Sequence, residues 1–255
     1  MAGPRRDLLT LLLVLGGGYA VLRGAASAYA RLSAPEAETI PLDRPAGFRL
    51  RVAGATSTGG FDPFVGIAPA GTSAPNAGDV ETRLCAALFG GPPPSGVVPI
   101  AAFSDYACPY CRVLTRRLSA YATDAPGVQV TWHEAPILGD ASRAAARAAL
   151  AARRQGAYAD FHARLVDSPF QPTDGYLRDV AADLGLDADR LLADARGAAV
   201  AGEMADSLAL LRLFGTVGVP VVVIGRTVVQ GALTMDDVAR IAARERDPGP
   251  VPGCA

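Results

Sequence analysis

The feature that most restricts the fold is a junction at residues 97–111. An apolar run over residues 97–104 has the length of a buried strand, and helical periodicity begins a few residues later, inside Cys108-Pro109-Tyr110-Cys111. Val113, Leu114 and Leu118 carry that periodicity through residue 122, and residues 128–133 form the next short apolar run. Two short strands joined by one helix make a parallel, right-handed βαβ unit. The two thiols therefore stand at the first turn of a helix that follows a buried strand. A helix N-terminus presents unpaired N–H groups and the positive end of the macrodipole, so a thiolate there is stabilised. The spacing predicts Cys108 as the exposed nucleophile and Cys111, three residues on and on the same face, as the more buried resolving thiol. Pro109 fits the first helical turn, where a missing N–H costs nothing.

The tetrapeptide alone is also half of a zinc site. No second C-x-x-C and no H-x-x-x-H accompanies it, and His133 and His162 lie far apart in the chain. Dithiol redox chemistry is the reading that stands, with no metal and no cofactor. A second run supports it: Thr216-Val217-Gly218-Val219-Pro220 opens the β-branched stretch 221–224, and Pro is tolerated at the first position of a strand. In this company a cis Val219–Pro220 bond is expected, although cis forms make up only about 5–6% of X-Pro bonds.

Composition narrows the function classes. At 50% hydrophobic, 255 residues can bury a substantial core, and a net charge of −1 without a basic cluster argues against a nucleic-acid binder. Every basic side chain is Arg, and Ala is so common that helix propensity carries little weight. Residues 1–30 differ from the rest. Arg5 and Arg6 precede an apolar stretch of about 15 residues, short of the roughly 20 that span a bilayer, and small residues at 26–30 offer cleavage sites. A signal peptide and a periplasmic or other extracytoplasmic location are expected, with an uncleaved anchor as the alternative. The Arg5-Arg6 pair fits a twin-arginine signal or the basic start of an ordinary one.

Residues 31–96 are rich in Pro, Gly, Ser and Thr and read as an N-terminal extension packed on the main domain. A small hairpin near residues 48–60 and one short helix over 79–89 are the most it is expected to hold. The main domain spans residues 97–246. Periodicity predicts helices over roughly 142–154, 157–166, 175–184, 188–195 and 200–214, a helical insertion over about 140–214. Gly225-Arg226 between two β-branched runs signals a tight hairpin, and Thr234 with Asp237 caps a last helix. Arg143, Arg147, Arg153 and Arg154 read as a solvated helix face, and Trp132 and His133 as core or rim residues. Residues 247–255 form a Pro-rich tail. Cys85 and Cys254 are the two remaining cysteines, and an even count in an oxidising compartment predicts a structural bridge between them. Closing a loop of about 170 residues contributes roughly 5 kcal/mol in the chain-entropy model.

Together, Phe103-Ser104-Asp105-Tyr106-Ala107-Cys108-Pro109-Tyr110-Cys111, then Glu134-Ala135-Pro136-Ile137-Leu138-Gly139, a helical block and Val217-Gly218-Val219-Pro220 resemble the DsbA-like branch of the thioredoxin superfamily over about residues 97–245. The resemblance implies an α/β thioredoxin-like fold with an inserted helical subdomain, here preceded by the extension. It implies a cis Pro220 packed on the dithiol, tuning of the thiols by Pro109 and Tyr110, and Val219 backbone groups offered to an extended substrate. The chain departs from the pattern at Ala102, where such proteins often carry a buried carboxylate six residues before the first Cys. Proton transfer then rests on water, on Glu134 or on no dedicated group, and Asp105 reads as a strand-end turn residue.

The expected activity is that of an exported protein-disulfide oxidoreductase acting on reduced exported polypeptides by exchange through Cys108 and Cys111. By resemblance, a quinone-linked membrane partner of the DsbB type would reoxidise it. The alternative is an isomerase or reductase kept reduced by a membrane donor. Isomerases of the superfamily tend to have Thr before the cis proline and an N-terminal dimerisation domain, whereas this chain has Val219 and a Gly/Pro-rich extension. A third reading, a redox-inert chaperone-like binding module, predicts a lost Cys or a bulky charge at the site, and the sequence has neither.

Overall fold

The computed structural model describes residues 16–19, 21–24, 38–59, 77–169, 172–246, 249 and 251–254. The expected basic pair and cleavage sites of the export segment, the apolar piece at 61–67 and residues 247, 248, 250 and 255 of the tail lie outside the described residues. The chain divides into two units, Met1–Glu38 and Thr39–Ala255. In the first, residues 16–19 and 21–24 are helical, with Tyr19, Val21 and Leu22 exposed. Among the described residues no helix is long and apolar enough to cross a membrane.

The second unit is organised by a six-stranded sheet. Its strands are β1 (Ile40–Pro41), β2 (Arg49–Val52), β3 (Val98–Ser104), β4 (Val128–Glu134), β5 (Val221–Ile224) and β6 (Thr227–Gln230), in the order β1-β2-β6-β5-β3-β4. The central strand β3 is parallel to β4 and antiparallel to β5. Helix α3 (Pro109–Asp124) connects β3 to β4, and β5 and β6 form the antiparallel hairpin at Gly225-Arg226. Side chains alternate across β3 as a pleated strand requires. Ile100 and Ala102 join Leu114 and Leu118 of α3 and Val238 and Ile241 of α9 (Met235–Glu245) in one core. Ala101 and Phe103 join a second core on the other face, with Leu88 of α2 (Leu84–Phe89) and Leu210 of α8 (Ala198–Leu213). The result is a thioredoxin-like sheet covered on both faces.

A third core lies within the helices inserted between β4 and β5. These are α4 (Asp140–Arg153), α5 (Tyr158–Asp167), α6 (Asp174–Asp183), α7 (Ala188–Ala195) and the start of α8. Ala145, Ala146, Ala148, Ala149, Ala151 and Ala152 of α4 are all buried, so the alanines that looked like compositional background let neighbouring helices approach closely. Thr173, Asp187 and Thr234 cap α6, α7 and α9 by accepting from the backbone N–H three residues on. Helix α8 links two cores: Val200 and Met204 pack in the helical layer, and Leu210 and Leu213 pack under the sheet.

The extension differs from its sequence reading in two respects. The single helix expected over 79–89 is broken into α1 (Ala77–Glu81) and α2, because Thr82 and Arg83 form a turn between them. The piece expected to fold back as a small hairpin instead extends the sheet: β2 runs parallel to β6, with Leu50 opposite Val228, while β1 pairs antiparallel with β2. Edge pairing satisfies the outer N–H and C=O groups of β6 that would otherwise face solvent.

Candidate active site

Strand β3 ends at Ser104, and the turn that follows is held by a buried carboxylate. Asp105 accepts from the backbone N–H of Ala107 at 2.8 Å, the N–H of Leu138 at 2.9 Å and the Ser142 hydroxyl at 2.6 Å. Its own carbonyl accepts from Cys108 N–H at 3.0 Å. This turn delivers Cys108 to the N-cap of α3, with Pro109 in the first helical turn, and the Cys108 sulfur accepts from the Cys111 N–H at 3.1 Å. The cap position has an electrostatic effect. The Cys111 thiol donating to Cys108 lowers the Cys108 pKa against the cost of burial, and the Ser57 hydroxyl and the N–H groups of Cys111 and Tyr110 lower it further, to about 7. Burial pushes the Cys111 thiol up, and the neighbouring Cys108 and Asp105 charges push it the same way. One thiol of the pair is thus set to ionise and the other to hold its proton.

Across from the dithiol, the Val219–Pro220 peptide bond is cis, and the Cys108 thiol donates to the Val219 carbonyl at 3.7 Å. Cys108, Cys111, Val219 and Pro220 converge, while Pro109 and Tyr110 face solvent, Tyr110 at 41% exposure. The expectation of an exposed Cys108 is corrected here: its relative exposure is 0%. A segment of the extension lies against the site: Ser57 pairs with Val219, and its hydroxyl is among the groups that lower the Cys108 pKa.

Residues 99–242 match the model of the DsbA-like thioredoxin domain. The chain belongs to the DsbA-like thioredoxin-domain family. Members of this DsbA-like family are thiol–disulfide oxidoreductases. A solved thioredoxin-like oxidoreductase from Silicibacter pomeroyi DSS-3 is 33% identical, covers 64% of this chain and 98% of its own, and superposes with a TM-score of 0.60. The oxidoreductase DsbA from Xylella fastidiosa is 26% identical over 60% of this chain and 89% of its own, with a TM-score of 0.52. A stretch of 131 residues is also 32% identical to part of the Na(+)/H(+) antiporter NhaA 1 of Salinispora arenicola (strain CNS-205). That match takes in 49% of this chain but spans only 20% of the antiporter.

This chain has Ala102 at the position where the resemblance implied a buried carboxylate, and two buried acids, Glu134 and Asp105, lie at the ends of β4 and β3. Glu134 is buried, but it accepts from the hydroxyls of Tyr106 and Tyr158, each at 2.8 Å, and lies 3.4 Å from His162 Nδ1. The Asp105 charge raises the Cys111 pKa and a hydrogen bond to Asp105 lowers it, and burial raises the pKa of Asp105 itself against its hydrogen bonds to Ser142, Ala107, Leu138 and Ile137. The chain positions of Tyr106, Tyr158 and His162 carried no signal that they meet in one buried cluster. His133 is a core residue, bonded to the Leu88 carbonyl at 2.9 Å and the Ser207 hydroxyl at 3.2 Å and stacked on Phe103. The solvated-face reading fails for Arg153, which lies 4.1 Å over the Tyr158 ring, donates to the Trp132 carbonyl and pairs with Glu203. Cys85 and Cys254 are joined in a disulfide with Cα atoms 4.9 Å apart, and both are buried. Among the described residues no cluster of His, Cys, Asp and Glu is arranged to hold a metal.

Proposed function

We propose that this DsbA-like protein is exported and introduces disulfides into exported polypeptides, with Cys108 as nucleophile and leaving group and Cys111 as its partner thiol. The asymmetry of the two thiols supports their roles, since hydrogen bonds lower Cys108 to about 7 while burial pushes Cys111 up. The oxidising direction is favoured by Val219, in place of Thr, before the cis proline. In the oxidised site, a substrate thiolate attacks the Cys108 sulfur, the Cys108–Cys111 bond breaks, and Cys111 leaves and takes up a proton. A second substrate thiolate then attacks the substrate sulfur of the mixed disulfide, and Cys108 leaves as the thiolate. The substrate loses two electrons and the dithiol gains them, so a membrane-bound, quinone-linked acceptor is needed for the next turnover. Export follows from the apolar segment in residues 1–30, which puts the catalytic domain of residues 97–246 outside the cytoplasm. Pro109 and Tyr110, the exposed residues between the thiols, tune the pair and meet the substrate.

The reductase or isomerase reading keeps one observation in its favour. A Cys108 pKa of about 7 matches a reductant of the thioredoxin type better than a strongly oxidising thiol of about 3.5. The reduction potential against glutathione decides: a value near about −120 mV supports the oxidase and one near about −270 mV overturns it. Oxidative refolding of a reduced model substrate tests the same direction. Failure both to oxidise and to reduce would reject enzymatic exchange altogether.

A further inference from the structure

The backbone edge of Val219 is already paired. Ser57 N–H donates to the Val219 carbonyl at 2.7 Å, and Val219 N–H donates back to the Ser57 carbonyl at 2.9 Å, an isolated antiparallel bridge. That bridge lies on the carbonyl to which the Cys108 thiol donates, and Cys108 is buried at 0% exposure. The chain around Ser57 is seated along its length. Ala53 N–H donates to the Gln230 carbonyl at 2.8 Å, and Ala232 N–H donates to the Ala55 carbonyl at 3.0 Å. A Cβ on Gly231 would stand 1.6 Å from the Ala53 carbonyl oxygen, and one on Gly54 2.3 Å from that of Ala232. Past Ser57, a Cβ on Gly59 would stand 2.7 Å from the Ile137 carbonyl oxygen, and one on Gly218 2.8 Å from that of Ser57. The segment lies between the Val219 and Ile137 loops, with its backbone held close at these glycines while Ala55 and Thr58 stay exposed.

We infer that residues 55–59 are an internal substrate mimic in which Ser57 holds the place of a substrate cysteine. Serine is cysteine with oxygen in place of sulfur. It takes the same backbone pairing beside Cys108, yet it forms no disulfide and so never becomes a substrate. Its neighbours Ala55, Thr56, Thr58 and Gly59 are small, so the groove takes a cysteine in an extended run of small side chains, antiparallel to Val219. A polypeptide substrate must displace this strap, and it replaces each lost backbone hydrogen bond with one of its own. Access to Cys108 therefore depends on competition between strap and substrate.

The inference rests on Cys108 being the nucleophile, and the test separates the two claims. The full chain carrying Ser57→Cys and Cys111→Ser is treated with oxidised glutathione. The Cys108 thiolate attacks the glutathione disulfide and releases one glutathione thiolate. The introduced thiolate then attacks the Cys108 sulfur and releases the second, so one glutathione disulfide is reduced as one protein disulfide forms. Peptide mapping should find position 57 linked to Cys108 in monomeric protein, at a yield independent of protein concentration. An introduced thiol that stays free while Cys108 remains glutathionylated overturns the mimic. As a second measurement, Gly218→Ala sets a methyl group against the Ser57 carbonyl, and alkylation of reduced Cys108 by iodoacetamide should accelerate about tenfold or more. An unchanged rate also overturns it. Exchange by the unmodified protein without the link keeps the enzyme and rejects the mimic, and the link without exchange does the reverse.

Discussion

At the scale of single residues, the site depends on donors and acceptors that reach two sulfurs. The Ser57 hydroxyl favours the Cys108 thiolate, so Ser57→Ala should raise the Cys108 pKa above about 7, read from thiolate absorbance against pH. A pKa that stays or falls would contradict the hydrogen bond. Cys111→Ser should accumulate mixed disulfides through Cys108, whereas Cys108→Ser should not; trapping through Cys111 would reverse the roles. Asp105 holds the turn before the dithiol through two backbone N–H groups and the Ser142 hydroxyl. Asp105→Ala leaves those buried donors unpaired and should cost about 2 kcal/mol or more in chemical denaturation. The place of the dithiol at the start of a helix was legible in the sequence because a C-x-x-C at a strand-to-helix junction is local. Ser57 was not, since a serine in a Gly/Ser/Thr-rich stretch looks the same whether solvated or seated on Cys108.

At the scale of elements, the periodic segments were the readable ones. The helices α3 to α9 and the β5–β6 hairpin carry their own periodicity, caps and turn residues, which act over a few positions. The extension's strands have no such signal: β2 is four residues long, and its place beside β6 comes from pairing with a strand 178 positions away, Arg49 opposite Thr227. That edge is also where the chain crosses itself most tightly. Gly231 has φ +109° and faces the Ala53 carbonyl oxygen. Gly231→Ala therefore demands both a disfavoured backbone and a displaced strand, and should destabilise by at least about 2 kcal/mol with faster alkylation of Cys108. Full retention of stability would show that the strand is not seated there.

At the scale of the molecule, two features join distant parts of the chain. The Cys85–Cys254 disulfide ties α2 to the tail across the catalytic domain, with a sequence separation of 169. Replacing both with Ala should lower the unfolding free energy by up to about 5 kcal/mol, the loop-closure limit, while exchange activity in folded protein persists. Loss of exchange in a folded double variant would give the bridge a redox role. His133 sits between β4, α2 and α8, facing the Leu88 carbonyl and the Ser207 hydroxyl with the Arg153, Glu134 and Asp206 charges around it. Burial lowers its pKa from 6.5 to about 4. A depressed folded value means that this contribution to stability is complete above pH 6.5 and is lost as pH falls through 4. Over that window the loss should be on the order of 3 kcal/mol, and His133→Gln should flatten it. An equally steep acid loss in that variant would assign the dependence to other groups.

What the sequence determined by itself was local: a dithiol at a helix start, a proline opening a strand, helices whose apolar faces recur at 3.6 residues, and turns made by glycine. These follow from backbone geometry and side-chain spacing within a few residues. The tertiary structure alone decided that the extension completes the sheet, that Asp105 holds the turn before the dithiol while Glu134 is bonded to Tyr106 and Tyr158, and that Ser57 pairs with Val219 beside Cys108. Each of those depends on groups far apart in the chain meeting in a closed, low-dielectric space. Such meetings are set by how whole elements pack, and no residue carries them in its local pattern.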